Sequence, residues 1–152
     1  MSSSTIEQTC TIKEAAALTG LPASTLRYYE SIGVIAPITR GESSKHRVYT
    51  AEDLDLLTWV ACLSATGMSV SDMKKYVTNR DAGPSAARDQ VALLTAQRDH
   101  LADEAARLVV RQQYVQLKID YWLAVDAGDT DRADLLAGEA RSLADQLKPA
   151  KA

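Results

Sequence analysis

Thr11-Ile12-Lys13-Glu14 opens a segment that continues Ala15-Ala16-Ala17-Leu18-Thr19-Gly20-Leu21-Pro22-Ala23-Ser24-Thr25-Leu26-Arg27-Tyr28-Tyr29-Glu30. Thr11 and Glu14 have capping-box spacing: the hydroxyl can take the free Glu14 N–H while the carboxylate reaches back. A short helix follows, and Thr19-Gly20 ends it because glycine accepts a left-handed C-cap. Leu21-Pro22 starts a second helix over Ser24–Glu30, stopped by Gly33 and by Pro37 beyond it. Ile12, Ala16, Gly20 and Leu26 then fall where a helix-turn-helix needs them: Ala16 for a close crossing, Gly20 for the turn, Leu26 for burial. On the second helix Arg27 can reach a phosphate. The hydroxyls of Tyr28 and Tyr29 can do the same while their rings pack, a core role being the alternative for either.

Working outward, residues 36–49 have two short β-compatible ends around a Gly/Ser-rich tip, which predicts a small hairpin. Thr50-Ala51-Glu52-Asp53 caps a third helix, whose Leu54, Leu57, Val60 and Ala61 recur near 3.6 spacing until Gly67. Ser69-Val70-Ser71-Asp72 caps a fourth, ending near Arg80. Asp81-Ala82-Gly83-Pro84 is a break. About 40 residues of helix follow, in which Ala87, Leu94, Leu101, Leu108, Val115 and Trp122 lie seven apart. Such a line is a coiled-coil seam that needs a partner helix, so a homodimer is expected; packing on the chain's own domain is the alternative. A last amphipathic helix spans 132–147. The expected architecture is mainly α, a helix-turn-helix with a small hairpin followed by a long dimerising coiled-coil helix and a short C-terminal helix. Its segments are a mobile tail at 1–10, a first domain at 11–80, the coiled-coil helix at 84–126 and the terminal helix at 129–152.

Composition limits the classes. The 152 residues suit one domain or a small domain with an extension, and exclude a large two-domain enzyme. The net charge of −3 argues against nucleic acid when taken whole. Its distribution reverses that: residues 1–80 are neutral, residues 81–152 carry the entire deficit, and residues 24–50 are +2. A local positive patch is what phosphate contact requires. Two cysteines are too few for a disulfide framework, no signal peptide is visible, and no apolar run approaches the ~18 residues of a membrane span. A cytoplasmic location is expected. Catalytic residues, cofactor and metal are all read as none: there is no nucleophile motif or P-loop, and Cys10, Cys62, His46 and His100 are scattered.

With Thr25-Leu26-Arg27-Tyr28-Tyr29-Glu30, Gly33, Pro37, Arg47-Val48-Tyr49, Asp53-Leu54, Thr66-Gly67-Met68-Ser69 and Asp72-Met73-Lys74 in place, the sequence resembles the MerR family of transcriptional regulators over about 110 residues. The resemblance implies a winged helix-turn-helix with 36–49 as the wing, and a homodimer joined by an antiparallel coiled coil. It implies double-stranded promoter DNA and RNA polymerase as partners, with an inverted repeat in an overlong spacer that the dimer bends and untwists. That deformation costs roughly 1–10 kcal/mol, offset by contacts. The contacts carried over by position are Ser24, Thr25, Arg27, Tyr28, Tyr29, Arg40, Lys45, His46 and Arg47, with Lys13 as a weaker candidate. Two departures stand out: Pro22 where the family commonly has Ser, and Lys45-His46-Arg47 where it commonly has Gly-Tyr-Arg. A coiled-coil interaction protein whose winged helix binds protein is the competing class.

For the effector, two readings stay open. Cys62 sits where the aldehyde- and electrophile-responsive branch has its reactive cysteine, though Ser64 stands where that branch usually has Arg; otherwise Cys62 is a small buried apolar residue. Tyr114, Tyr121 and Trp122 could form a pocket with the terminal helix for a flat apolar ligand, or simply dock that helix.

Overall fold

The computed structural model describes residues 8–148. Most of the tail expected at 1–10, and residues 149–152 of the terminal segment, lie outside the described residues. Six α-helices follow in order: α1 Ile12–Thr19, α2 Ala23–Ser31, α3 Ala51–Ala65, α4 Val70–Ala82, α5 Ala87–Asp126 and α6 Thr130–Leu147, with a 3-10 turn Gly83–Ala86 between α4 and α5. The mainly α architecture with a winged helix-turn-helix is as the sequence predicts. A division between Thr95 and Ala96, inside α5, separates two compact units.

In the first unit the caps are those the sequence marks. Thr11 accepts from the Glu14 amide and Thr50 from that of Asp53, each with the reciprocal carboxylate bond of a full capping box, and Ser69 accepts from the Asp72 amide. Gly20 ends α1 at φ 76°, in the left-handed region, and its amide donates to the Ala16 carbonyl. That turn sets α2 across α1. The core gathers Ala15, Leu26, Tyr29, Val34, Ile35, Ile38, Tyr49, Leu57, Val60, Met68 and Met73. Ala15, rather than Ala16, is the fully buried alanine of α1.

The expected hairpin is minimal. Arg40 and Arg47 form one antiparallel bridge, while Cys10 and Tyr49 form another. Cys10, assigned by sequence to the tail, thus has its backbone fixed: it exchanges two hydrogen bonds of 2.9 Å with Tyr49. The break at 81–84 is a tight connection, across which Gln90 of α5 donates to the Tyr76 carbonyl and accepts from Asn79.

In the second unit, Ala124 of α5 buries against Ala133 and Leu136 of α6, with Leu117 and Tyr121 packed alongside. Asp129 caps α6 by accepting from the Arg132 amide.

Candidate nucleic-acid interface

The arrangement starts from Glu30 at the end of α2. Its Oε1 accepts from the Ile38 amide at 2.8 Å and its Oε2 from Arg47 Nε at 2.7 Å, so one carboxylate ties both arms of the wing to α2. Desolvation works against the Glu30 charge, but the Arg47 and Ile38 hydrogen bonds and the Arg47 and Arg40 charges outweigh it. The carboxyl is held below its ordinary range. Sequence reading missed Glu30, because its partner is 17 residues away and only the hairpin brings them together.

With the wing fastened, Lys13 of α1, Arg27 of α2 and the wing residues Arg40, His46 and Arg47 line one cleft of about 480 Å³, shared with Cys10 and Glu14. Lys13, Arg27 and Arg40, with His46, face the Glu14 carboxylate there while Arg47 is paired with Glu30, a net positive balance that suits a phosphate backbone. Lys13 belongs to this group as fully as Arg27 does. Ser24, Arg27, Tyr28, Arg40, Lys45 and His46 are exposed and Thr25 is half-buried. Arg40 donates to the Lys45 carbonyl at 3.2 Å, and Lys45 itself is left-handed at φ 60°, a conformation L residues adopt at some cost. Arg47, with 19% of its side chain exposed, is committed to Glu30.

One expected contact falls elsewhere. Tyr29 is 5% exposed and donates its hydroxyl to Ser64 Oγ, so it belongs to the core, and Tyr28 is the tyrosine that faces out. The period of the helix turns adjacent residues about 100° apart, which separates the pair. In the same cleft, the Cys10 thiol is pushed up by burial and by the Glu14 and Asp53 charges, which favours its neutral form.

The effector candidates are not assembled into one site. Cys62 is exposed on α3, against the expectation of a buried apolar residue. Tyr121 packs under α6, but Trp122 stacks edge-on to it at 5.2 Å and is 64% exposed. Tyr114 lies beneath the Lys118 ammonium at 5.5 Å. The α5–α6 groove of about 540 Å³ is lined by other residues, among them Gln113, Asp120, Glu139 and Gln146. The three aromatics are neighbours, since Lys118 also lies 6.0 Å over the Tyr121 ring, but they do not line the α5–α6 groove. Among the described residues no group of three or more potential metal ligands occurs.

Residues 10–80 match the MerR HTH family regulatory proteins. The chain is 34% identical over 98 residues to the HTH-type transcriptional regulator AdhR of Bacillus subtilis, covering 64% of each protein. It therefore spans slightly less than two thirds of that relative. It is 31% identical over 116 residues to an uncharacterized HTH-type transcriptional regulator of Haemophilus influenzae, covering 76% of this chain and 82% of that one. Its structure is similar to that of HiNmlR, a MerR family regulator lacking the sensor domain, solved bound to promoter DNA. There the TM-score is 0.65 with 26% identity, over 85% of this chain and 96% of that one. The chain belongs to the MerR family of DNA-binding transcriptional regulators.

Proposed function

We propose that the chain reads a promoter as a homodimer, with α2 entering the major groove and the wing gripping the flanking backbone. The observation that carries this is the cleft where Lys13, Arg27, Arg40, His46 and Arg47 meet, with Arg47 alone of these cations held by the Glu30 carboxylate. Ser24, Thr25 and Tyr28 on α2 and Lys45 on the wing complete the contact set, while Arg47 acts chiefly by holding the wing to Glu30. In this reading 11–80 is the DNA-binding domain, 84–126 the dimerisation helix and 129–152 a terminal helix that backs it. The exposed seam of α5 supports the dimer: Leu101, Leu108 and Val115 are 38%, 53% and 57% exposed, an apolar line that water leaves unsatisfied. RNA polymerase at the distorted promoter, in the cytoplasm, is the proposed downstream partner. The protein-binding alternative is not favoured, because the cationic cleft and the DNA-bound relative point the same way.

Arg27→Ala tests the reading. It is expected to weaken binding to every duplex and to lower the slope of log K against log salt by about one. Unchanged DNA affinity would overturn it. For the effector we propose an electrophile at Cys62, supported by the exposed position of that residue on α3. Cys62→Ser should abolish any response to aldehydes or quinones in a promoter-reporter assay; full responsiveness removes Cys62 as the sensor.

A further inference from the structure

α4 and α5 meet at a joint whose backbone does little to hold it. The 3-10 turn Gly83–Ala86 is four residues long, and Gly83 lies at φ 78° and ψ −149°, a conformation that glycine alone adopts freely. Open space surrounds the point where a Cβ of Gly83 would stand, so glycine is there for its conformation and not for a close approach. A residue with that freedom cannot by itself fix the direction in which the next helix leaves.

Gln90, in the first turn of α5, supplies what the backbone does not. Its Nε2 donates to the Tyr76 carbonyl at 3.0 Å, and its Oε1 accepts from Asn79 Nδ2 at 3.1 Å. The two anchors are three residues apart on α4 and so share one face. One planar amide is thereby held at both ends, which stops the swivel that a single bond would leave. Tyr76, Asn79 and Gln90 are all half-buried, where water competes less for these bonds. The pattern asks for a carboxamide rather than a charged group: a carboxylate has no proton for the Tyr76 carbonyl, and an ammonium cannot accept from Asn79.

We propose that Gln90 is a specificity-determining residue for DNA, setting the spacing between half-sites by fixing the direction in which α5 leaves α4. The proposal rests on the dimer reading above. Gln90 does not line the cationic cleft, so it acts as a positioning residue and not as a contact. In that reading each head is anchored to the duplex through phosphates and each α5 to its partner. A duplex whose half-sites stand at another spacing is then met in one of two ways: the DNA deforms, or the joint turns. A stiff joint makes the DNA deform, and the deformation discriminates between spacings. A loose joint turns instead, and neighbouring spacings become equivalent.

The test lets full-length protein choose from a pool of random-sequence duplexes, and reads the half-site sequence and the spacing in those recovered. Wild type should recover an inverted repeat at one spacing. Gln90→Met, similar in size and without either hydrogen bond, should recover the same half-site at several neighbouring spacings. Its preference for the wild-type spacing over one a base pair longer should fall roughly tenfold, the factor that two side-chain hydrogen bonds are worth. Asn79→Ala, which removes one bond, should lie between the two, and in the Gln90→Met background it should broaden nothing further. Urea unfolding checks that each variant folds; if Gln90→Met does not, Asn79→Ala alone decides. A folded variant that keeps the single wild-type spacing overturns the proposal. So does one that recovers a different half-site sequence, since Gln90 would then act on the reading itself. Recovery of no inverted repeat by wild type would instead remove the dimer reading on which the proposal rests.

Discussion

At the scale of single residues, Glu30 has the widest reach. It is the only described side chain that binds both arms of the wing, through the Ile38 amide and through Arg47. Its folded pKa is lowered from the ordinary value of 4.5, so its contribution to stability is fully present above that value. The contribution is lost as pH falls through the lower folded-state value. Glu30→Gln removes the charge and keeps an acceptor for Ile38. It should cost about 1–3 kcal/mol in urea unfolding at pH 7, and the difference from wild type should shrink in acid. A constant difference across pH would show that the carboxylate charge is not the source. Tyr49 presents the opposite case, a hydroxyl buried in the core with no partner among the described residues. Burial raises its pKa, the Arg47 and Arg27 charges opposing that rise and the Glu30 and Asp53 charges adding to it.

At the scale of elements, local signals were legible and long-range ones were not. The boundaries of α1, α3 and α4 are written in Thr11, Thr50 and Ser69, because a cap is satisfied within four residues. The turn is written in Gly20, which has φ 76° and open space where a Cβ would stand. Gly20→Ala should therefore cost only the conformational penalty of about 1–2 kcal/mol, read as a lowered unfolding midpoint with unchanged slope. A loss well beyond that would mean the helix crossing itself had shifted. The wing was legible as a hairpin, but not its attachment, since Glu30 and Arg47 meet only after the chain has turned. The division of labour between Tyr28 and Tyr29 was likewise hidden. It depends on Ser64, on a helix that sequence spacing does not place beside α2. In the second unit the heptad line is plain in the sequence, but the groove between α5 and α6 is not, because its lining comes from two helices whose pairing periodicity does not report.

At the scale of the whole molecule, the exposed seam ties stability to concentration. If a second copy covers it, the unfolding temperature rises with protein concentration, because mass action favours the associated folded form. Leu108→Asp, which sets a carboxylate in the exposed seam, should abolish that dependence and yield a monomer by sedimentation. A concentration-independent melting curve for the wild-type chain would argue instead for a seam that stays bare. The charge distribution has a consequence at this scale as well. The net charge of −3 belongs to residues 81–152, whereas the cleft of Lys13, Arg27, Arg40, His46 and Arg47 is cationic. The protein therefore presents two signs to a charged matrix. Near neutral pH it should be retained by an anion exchanger through its helical half and by heparin through the cleft, and Arg27→Ala should shorten only the second retention.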